Sequence, residues 1–137
     1  MTSFELNQLT EKIIGCAYKV SNGLGSGFLE KVYENALVHE IVKTGLKTQR
    51  QFPIRAHYDG IIVGEYVADL LVEDMVLVEL KAVRLLDDVM VAQCLNYLRA
   101  TDYPVCLLLN FGRPRLEIRR IVPNDSWRSR RPQILTN

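Results

Sequence analysis

The sequence predicts an α/β fold in which one sheet lies between helical layers, and three observations support this. Residues 4–22 and 28–44 carry apolar side chains at the spacing of a helix. From Lys47 onward the apolar period drops to two, which is typical of strands. Residues 66–72 and 76–82 are apolar on both faces, as expected of strands that are covered on two sides.

Two helices open the predicted order. The first covers residues 4–22, and residues 22–27 end it because three glycines in five positions favour a flexible turn. The second covers residues 28–44, and Gly45 follows as a left-handed cap. The apolar faces of the two helices consist of Leu6, Leu9, Ile13, Ala17 and Val20 in the first, and Leu29, Val32, Tyr33, Ala36, Leu37 and Ile41 in the second.

Three strands are predicted after the helices. The first alternates over residues 52–58, and Asp59-Gly60 is the best hairpin signal in the chain. Residues 61–72 form the second strand and residues 76–82 the third.

A third helix and two further strands complete the order ααβββαββ. Asp87 or Asp88 can cap the helix, which runs to about Ala100. A fourth strand follows at residues 105–109, and a Gly-Arg-Pro turn leads into a fifth at residues 115–122.

Length and composition predict a single soluble domain over residues 1–123, with a basic, flexible tail over residues 124–137. At 48% apolar and 24% charged residues, the composition is that of ordinary globular proteins. No apolar run approaches the roughly 18 residues of a membrane span, and residues 1–9 lack a signal-peptide pattern. Three isolated cysteines suit free thiols in a reducing compartment, so a cytoplasmic protein without membrane attachment is predicted.

Charge is spread unevenly along the chain, although the net charge is only +1. Residues 113–131 contain seven arginines against Glu117 and Asp125, a balance of +5 that leaves −4 on the rest. A basic segment beside an acidic body could follow a phosphate backbone while the body holds a cation. For the part after Pro123, the alternative is a solubilising tail.

Three charged side chains interrupt the apolar strands: Asp69 in the second strand, and Glu79 and Lys81 in the third. A carboxylate in such surroundings loses much of its hydration energy unless it is paired or bound to metal. Glu79 and Lys81 are two residues apart, so they project from one face of a strand. Two carboxylates at one spot favour a hard cation such as Mg²⁺ or Mn²⁺. The alternative is a buried Asp–Lys or Glu–Lys ion pair that fixes the strand register.

The turn after residue 72 decides whether Asp69 joins the other two side chains. Residues facing each other across an antiparallel hairpin have a constant sum of residue numbers, which for Asp69 and Glu79 is 148. An odd loop over residues 73–75, or a bulge, gives this sum and puts both carboxylates on one face. A two-residue loop lowers the sum by one and turns them to opposite faces.

Two more pairs of polar residues lie on the predicted helices. Glu30 and Tyr33 are three apart and Gln93 and Tyr97 are four apart, so each pair shares a helix face. Alone, either pair would be an exposed polar residue beside a partly buried tyrosine. Beside a metal centre, Glu30 would be a water-mediated ligand, and Gln93 and Tyr97 would contact phosphate.

Five segments occur in an order that points to a known family. They read GFLEKVY at 27–33, YVADLLVE at 66–73, VELKA at 78–82, QCLNYL at 93–98 and NFG at 110–112. Together they resemble the GxxExxY family within the PD-(D/E)XK nuclease superfamily, over roughly residues 10–122. The Gln-x-x-x-Tyr element is similar to that of RecB-like nucleases.

This resemblance implies a restriction-endonuclease-like fold, with a central mixed sheet flanked by helices. It also implies that Asp69 and Glu79 are metal ligands, with the backbone carbonyl of Leu80 as a third. Lys81 would be the catalytic lysine, and Glu30 would complete the acidic cluster.

The resemblance places Gln93 and Tyr97 along the site. Relatives often carry histidine where this chain has Ser21, so a histidine role at that edge is not carried over. Tyr33 is a further candidate for substrate contact.

The predicted function is a metal-dependent nuclease that hydrolyses phosphodiester bonds by a metal-activated water, in DNA rather than RNA. Arg113 and Arg115 would contact the substrate backbone without sequence preference. One alternative is a non-catalytic protein- or nucleic-acid-binding domain that retains the fold. Another is a nucleotide-hydrolysing enzyme with a base stacked on Tyr33 or Tyr97. The sequence leaves a homo-oligomer or a protein partner open.

Overall fold

A computed structural model of the protein describes residues 1–123, so the predicted tail at residues 124–137 lies outside the described residues. Within the described range, no helix is long and apolar enough to cross a membrane. The predicted order ααβββαββ is confirmed. The elements are α1 (Ser3–Leu24), α2 (Glu30–Lys43), β1 (Thr48–Tyr58), β2 (Ile61–Val72), β3 (Val76–Lys81), α3 (Asp88–Thr101), β4 (Val105–Asn110) and β5 (Glu117–Ile121).

The five strands form one mixed sheet in the order β1-β2-β3-β4-β5. Three neighbouring pairs are antiparallel, whereas β3 and β4 are parallel. A parallel pair needs a crossover connection, and α3 supplies it. The predicted fold class, a central mixed sheet flanked by helices, is therefore confirmed.

Two cores lie on opposite faces of the sheet, which explains why the central strands are apolar on both faces. On one face α1 and α2 pack against alternate residues of β3 and β4, among them Val78, Leu80 and Leu107. On the other face α3 packs against the intervening residues, such as Leu77 and Leu108. Along the two central strands, β3 and β4, only the ends can therefore present polar groups to solvent.

The helix ends follow local hydrogen bonding. Thr2 caps α1 through a capping box, in which its hydroxyl accepts from the Glu5 N–H and its own N–H donates to the Glu5 carboxylate. The prediction that α2 begins at residue 28 is wrong by two residues, because Leu29 is extended at φ −69° and ψ 154°. The predicted left-handed glycine after α2 is confirmed, since Gly45 has a φ of +85°.

A buried asparagine joins the chain segments that leave β3 and β4. The Asn110 amide accepts from the N–H groups of Val83 and Gly112, and it donates to the Val83 carbonyl and to Glu117. Gly112 lies so close to the other segment that an added Cβ would be 2.2 Å from the Val83 carbonyl oxygen. The predicted start of β5 at residue 115 is two residues early, since β5 begins at Glu117.

We expect Gly112→Ala to lower the free energy of unfolding by about 2 kcal/mol or more, because the new methyl group would overlap backbone that cannot move alone. Gly15→Ala in α1 is the matched control, because a Cβ there meets nothing within 4 Å. A helix-interior alanine should raise stability by about 0.5–1 kcal/mol. Urea unfolding of both variants measures the difference, and equal stabilities would contradict the close contact at Gly112.

Candidate functional site

The hairpin between β2 and β3 has the register that brings Asp69 opposite Glu79. The paired residues are Leu70–Val78, Leu71–Leu77 and Val72–Val76, so their residue numbers sum to 148. The loop has three residues, and the Met75 N–H closes it by donating to the Val72 carbonyl at 3.0 Å. The odd loop that the two carboxylates require is thus present.

Side chains replace the backbone ladder at Asp69 and Glu79. The β2–β3 pairing stops at Leu70–Val78. Beyond it, the Asp69 N–H donates to Glu79 Oε1 at 3.1 Å, and the Leu80 N–H donates to Asp69 Oδ2 at 2.8 Å. Each carboxylate is therefore held by the main chain of the other strand, which fixes both without the help of a cation.

The β1–β2 pairing is interrupted at the same level. Arg50 pairs with Leu70 and Phe52 pairs with Ala68, but Gln51 and Asp69 between them are not paired. The two sides of the break face different cores, since Leu70 packs with α1 and α2 whereas Ala68 packs with α3. Asp69 therefore lies at the point where β2 turns, so that residues two apart on either side of it face different cores. Strict alternation of side chains along a strand does not predict this.

Burial and neighbouring carboxylates keep the Asp69 and Glu79 carboxyl groups from ionising easily. Glu79 is only 7% exposed, and burial followed by the charge of Asp69 raises its pKa to about 8. Burial also raises the pKa of Asp69, although the hydrogen bond from the Leu80 N–H opposes it. Two acids with raised pKa values lack a counter-charge, and a cation placed between them would supply it.

Tyr97 and Gln93 of α3 extend this cluster on the α3 side of the sheet. The Tyr97 hydroxyl lies 3.3 Å from Glu79 Oε2 and 3.2 Å from the Val67 carbonyl oxygen, and it accepts from Gln93 Nε2 at 3.3 Å. Burial and the neighbouring Glu79 raise the pKa of Tyr97, so its hydroxyl remains a proton donor. The structure thus brings Tyr97 into contact with Glu79, and Gln93 into contact with Tyr97.

Lys81 and Glu30 lie at the edge of the cluster. Lys81 is half-buried, and within residues 1–123 its ammonium forms no hydrogen bond or ion pair. Glu30 is exposed at the start of α2; burial and the charge of Asp69 raise its pKa, whereas Lys81 lowers it. Glu30, Asp69 and Lys81 therefore act on one another electrostatically, although they come from three different elements.

Glu34 is a buried acid that the sequence reasoning missed. Its carboxylate accepts from Arg50 at 2.8 Å, from Lys31 at 3.1 Å and from Gln51 at 2.9 Å. Burial works to raise the pKa of Glu34, but the hydrogen bonds from Arg50 and Lys31 leave it below its ordinary value. A signal was available, because Glu34 precedes Leu37 by three residues and so lies on the buried face of α2.

Tyr33 lies in the core and away from any open surface. It is fully buried, and its ring stacks on Phe111 at a centroid distance of 4.9 Å. Its hydroxyl donates to the Gly25 carbonyl at 2.6 Å and accepts from the Phe28 N–H at 3.2 Å. Tyr33 therefore fixes the glycine-rich loop before α2. Its buried ring is not open to the substrate contact that the sequence suggested.

The arginines before and within β5 separate into groups. Arg113 joins Arg84, Leu85, Gly112 and Pro114 around an open groove of about 610 Å³, beyond the ends of β3 and β4. Arg115 is exposed on the same loop. Arg120 instead bonds Asn7 of α1. Of the two arginines predicted to contact substrate, only Arg113 lines the groove.

The donor set suits a hard cation only if the main chain takes part. Among residues 1–123, no group of three or more His, Cys, Asp or Glu side chains is arranged to hold a metal ion. Asp69 and Glu79 supply two carboxylates, and the Leu80 carbonyl lies on the same strand edge as the Leu80 N–H, beyond the last β2–β3 pair. Two carboxylates and this buried carbonyl form an all-oxygen set of the kind that Mg²⁺ or Mn²⁺ accepts.

Comparison with known proteins gives a family and a fold. A family model described as the PD-(D/E)XK nuclease superfamily matches residues 7–121. A search of curated proteins gives no match. The crystal structure of an alkaline exonuclease from Laribacter hongkongensis is similar, with a TM-score of 0.53, 16% sequence identity and coverage of 72% of this chain. The match spans 58% of that exonuclease, and it supports a shared fold.

The raised pKa of Glu79 predicts how stability depends on pH when a chelator removes metal. Unfolded Glu79 releases its proton near its ordinary pKa of 4.5, whereas folded Glu79 keeps it until about pH 8. The folded state binds more protons between these values, so stability should fall as pH rises through that window. Glu79→Gln should remove this fall, which at about 1.4 kcal/mol per pH unit amounts to roughly 5 kcal/mol across the window.

Urea unfolding in a chelator across that pH range measures the effect. Glu65→Gln is the matched control, because Glu65 is 71% exposed and its ion pair with Arg55 is long, at 3.7 Å. Parallel pH curves for wild type and Glu79→Gln would contradict the raised pKa.

Proposed function

Because this chain belongs to the PD-(D/E)XK nuclease superfamily, we propose that it is a metal-dependent nuclease that hydrolyses phosphodiester bonds in nucleic acid. Asp69 and Glu79, with the Leu80 carbonyl, hold Mg²⁺ or Mn²⁺, and Lys81 is the catalytic lysine. The observation that carries the proposal is the reciprocal pair of bonds, Asp69 N–H to Glu79 and Leu80 N–H to Asp69, together with Lys81, which forms no ion pair within residues 1–123. Within the superfamily, we also propose that the chain is a member of the GxxExxY family.

The carboxylates are arranged before any ligand arrives. A divalent cation supplies Lewis-acid activation of water and neutralises phosphate charge. Asp69 and Glu79 are held by main-chain donors, so little side-chain freedom is lost when they bind an ion. Glu30 adds negative charge from the start of α2 and serves as a water-mediated ligand. Tyr97 holds the second oxygen of Glu79, and Gln93 holds Tyr97.

Lys81 provides the mobile positive charge of the centre. An ammonium that already bonded a carboxylate would be neutralised, as in the alternative in which an ion pair fixes strand register. Lys81 forms no such pair in the part of the chain that the structure describes. It can therefore hold the attacking water by a hydrogen bond and stabilise the charge that develops on the phosphate.

We propose DNA in preference to RNA as the substrate, because the Gln93–Tyr97 element is similar to that of RecB-like nucleases. Arg84 and Arg113, across the groove beyond β3 and β4, would hold backbone phosphates, with Arg115 nearby on the same loop. Such contacts add affinity without reading sequence.

A nucleotide-hydrolysing enzyme has less support, since it requires an aromatic ring open to a base. Tyr33 and Tyr97 are 0% and 2% exposed and already pack against Phe111 and Tyr66. A non-catalytic binding domain remains the competing proposal, and the cleavage assay separates it from the nuclease.

We expect Lys81→Ala to reduce kcat for DNA cleavage by about 10²–10³-fold with little change in KM, because Lys81 acts on the developing charge. Linear and circular DNA with Mg²⁺ or Mn²⁺ should be compared for wild type, Lys81→Ala and Lys12→Ala. Lys12 is an exposed lysine of α1 and should leave the rate unchanged. Equal rates for wild type and Lys81→Ala would remove Lys81 from the mechanism, and wild type inactive with both metals would favour the binding domain.

The groove predicts the salt dependence of DNA binding. In a Lys81→Ala background that does not cut, changing both Arg84 and Arg113 to Gln should lower the slope of log K against log salt by about 2, roughly one unit per lost phosphate contact. Arg55→Gln is the control, since Arg55 is an exposed arginine on β1 whose partner is Glu65. An unchanged slope in the double variant would place the backbone path elsewhere.

A further inference from the structure

One residue inside a strand has a backbone conformation that side chains other than glycine rarely adopt. Among residues 1–123, five non-glycine residues have a positive φ, and four of them are explained by turns or a helix end. These are Asp59, Glu73, Asp74 and the α3 cap Asp102. The fifth is Gln51 in β1, with a φ of +50°. Strain of this kind persists only where surrounding contacts impose it, and it concentrates at functional sites.

The contacts of Gln51 explain what the strained conformation achieves. Gln51 is opposite Asp69 in the β1–β2 register, at the position where that pairing is interrupted. Its amide nitrogen donates to Glu34 Oε1 of α2 at 2.9 Å. Burial raises the pKa of Asp69, and a hydrogen bond from the Gln51 side chain acts in the opposite direction. The side chain thus bonds Glu34, and it comes from the position on the neighbouring strand that is opposite Asp69.

Glu34, which accepts the hydrogen bond from Gln51, is itself held in place. Its carboxylate is 4% exposed and is held by Arg50 and by Lys31. Arg50 also donates to Asn35. The charge of Glu34 is therefore already compensated, and Arg50 and Lys31 set its position independently of Gln51 and Asp69.

Glutamine at position 51 is also the residue type suited to lie between two carboxylates. A glutamine amide has two N–H donors and no charge, so it can bond two carboxylates at once. A lysine or arginine in its place would neutralise the acidic cluster and compete with a cation.

We propose that Gln51 is a positioning residue of the centre: its strained backbone aims the amide between Glu34 and Asp69, and so holds the Asp69 carboxylate in the orientation that binds the cation. This rests on the proposed function for the role of the cation. The positioning of Asp69 itself does not, because it concerns contacts within the metal-free protein.

The first test uses direct Mn²⁺ binding to the purified protein by isothermal titration calorimetry. We expect Gln51→Gly to weaken Mn²⁺ binding by about tenfold. Its melting temperature should stay within a few degrees of the wild type, because glycine relieves the strained φ while the amide contacts are lost. Asp59→Gly is the matched control: it changes a residue with a φ of +54° at the tip of the β1–β2 hairpin and should leave Mn²⁺ binding unaltered.

The second test needs neither metal nor activity. The Leu80 amide is protected by Asp69 Oδ2, so a loosened Asp69 should expose it to solvent. In the presence of a chelator, we expect Gln51→Gly to speed hydrogen exchange at the Leu80 amide by at least tenfold. Exchange at Val78, which is paired with Leu70 in the ladder, should stay unchanged.

The outcomes separate the two proposals. Wild type that binds no Mn²⁺ would overturn the proposed metal centre, while faster exchange at Leu80 would still support the positioning of Asp69. Mn²⁺ affinity and Leu80 exchange that both match the wild type would overturn the role of Gln51. A general loss of protection together with a large fall in melting temperature would also overturn it, since Gln51 would then be an ordinary structural residue.

Discussion

The main-chain N–H groups of Asp69 and Leu80 are satisfied by carboxylates, whereas a continuous sheet would pair them with a neighbouring strand. This replacement opens the β2–β3 ladder beyond Leu70–Val78 and places two acids at the opening. Buried donors must find partners, so the carboxylates cannot leave without exposing the backbone of both strands. The geometry of the acidic centre is therefore a property of the sheet, and the helices on either side keep the sheet in place.

The same arrangement is costly for the protein without a cation. Glu79 is almost fully buried, and its raised pKa records the lack of a counter-charge. In the part of the chain that the structure describes, Lys81 does not provide one by direct contact, and Lys31 and Arg50 form their ion pairs with Glu34 instead. Two buried carboxyl groups thus remain without a bound counter-charge where a cation would be held, and stability is lost there in exchange for an affinity that only a ligand can use.

Much of this was predictable from the sequence, because it depends on local rules. The element order, the two-sided burial of the central strands and the shared face of Glu79 and Lys81 follow from apolar periodicity. The sequence showed that the β2–β3 register depends on the length of the loop at residues 73–75, but it did not show which length the loop has. Glu34, Gln51 and the exchange of faces at Asp69 were missed, because each depends on contacts between segments that are distant in sequence.

The interruption of pairing crosses three strands at one level, through Gln51, Asp69 and Glu79. A single break could be a local irregularity of one hairpin, but two adjacent breaks that share Asp69 leave this residue outside both strand pairings. Its position is then set from β3 by Glu79 and the Leu80 N–H, and from β1 and α2 by the Gln51–Glu34 pair. On this argument the centre includes the supports on β1 and α2 as fully as the acids themselves, and its orientation depends on the packing of α2 against the sheet.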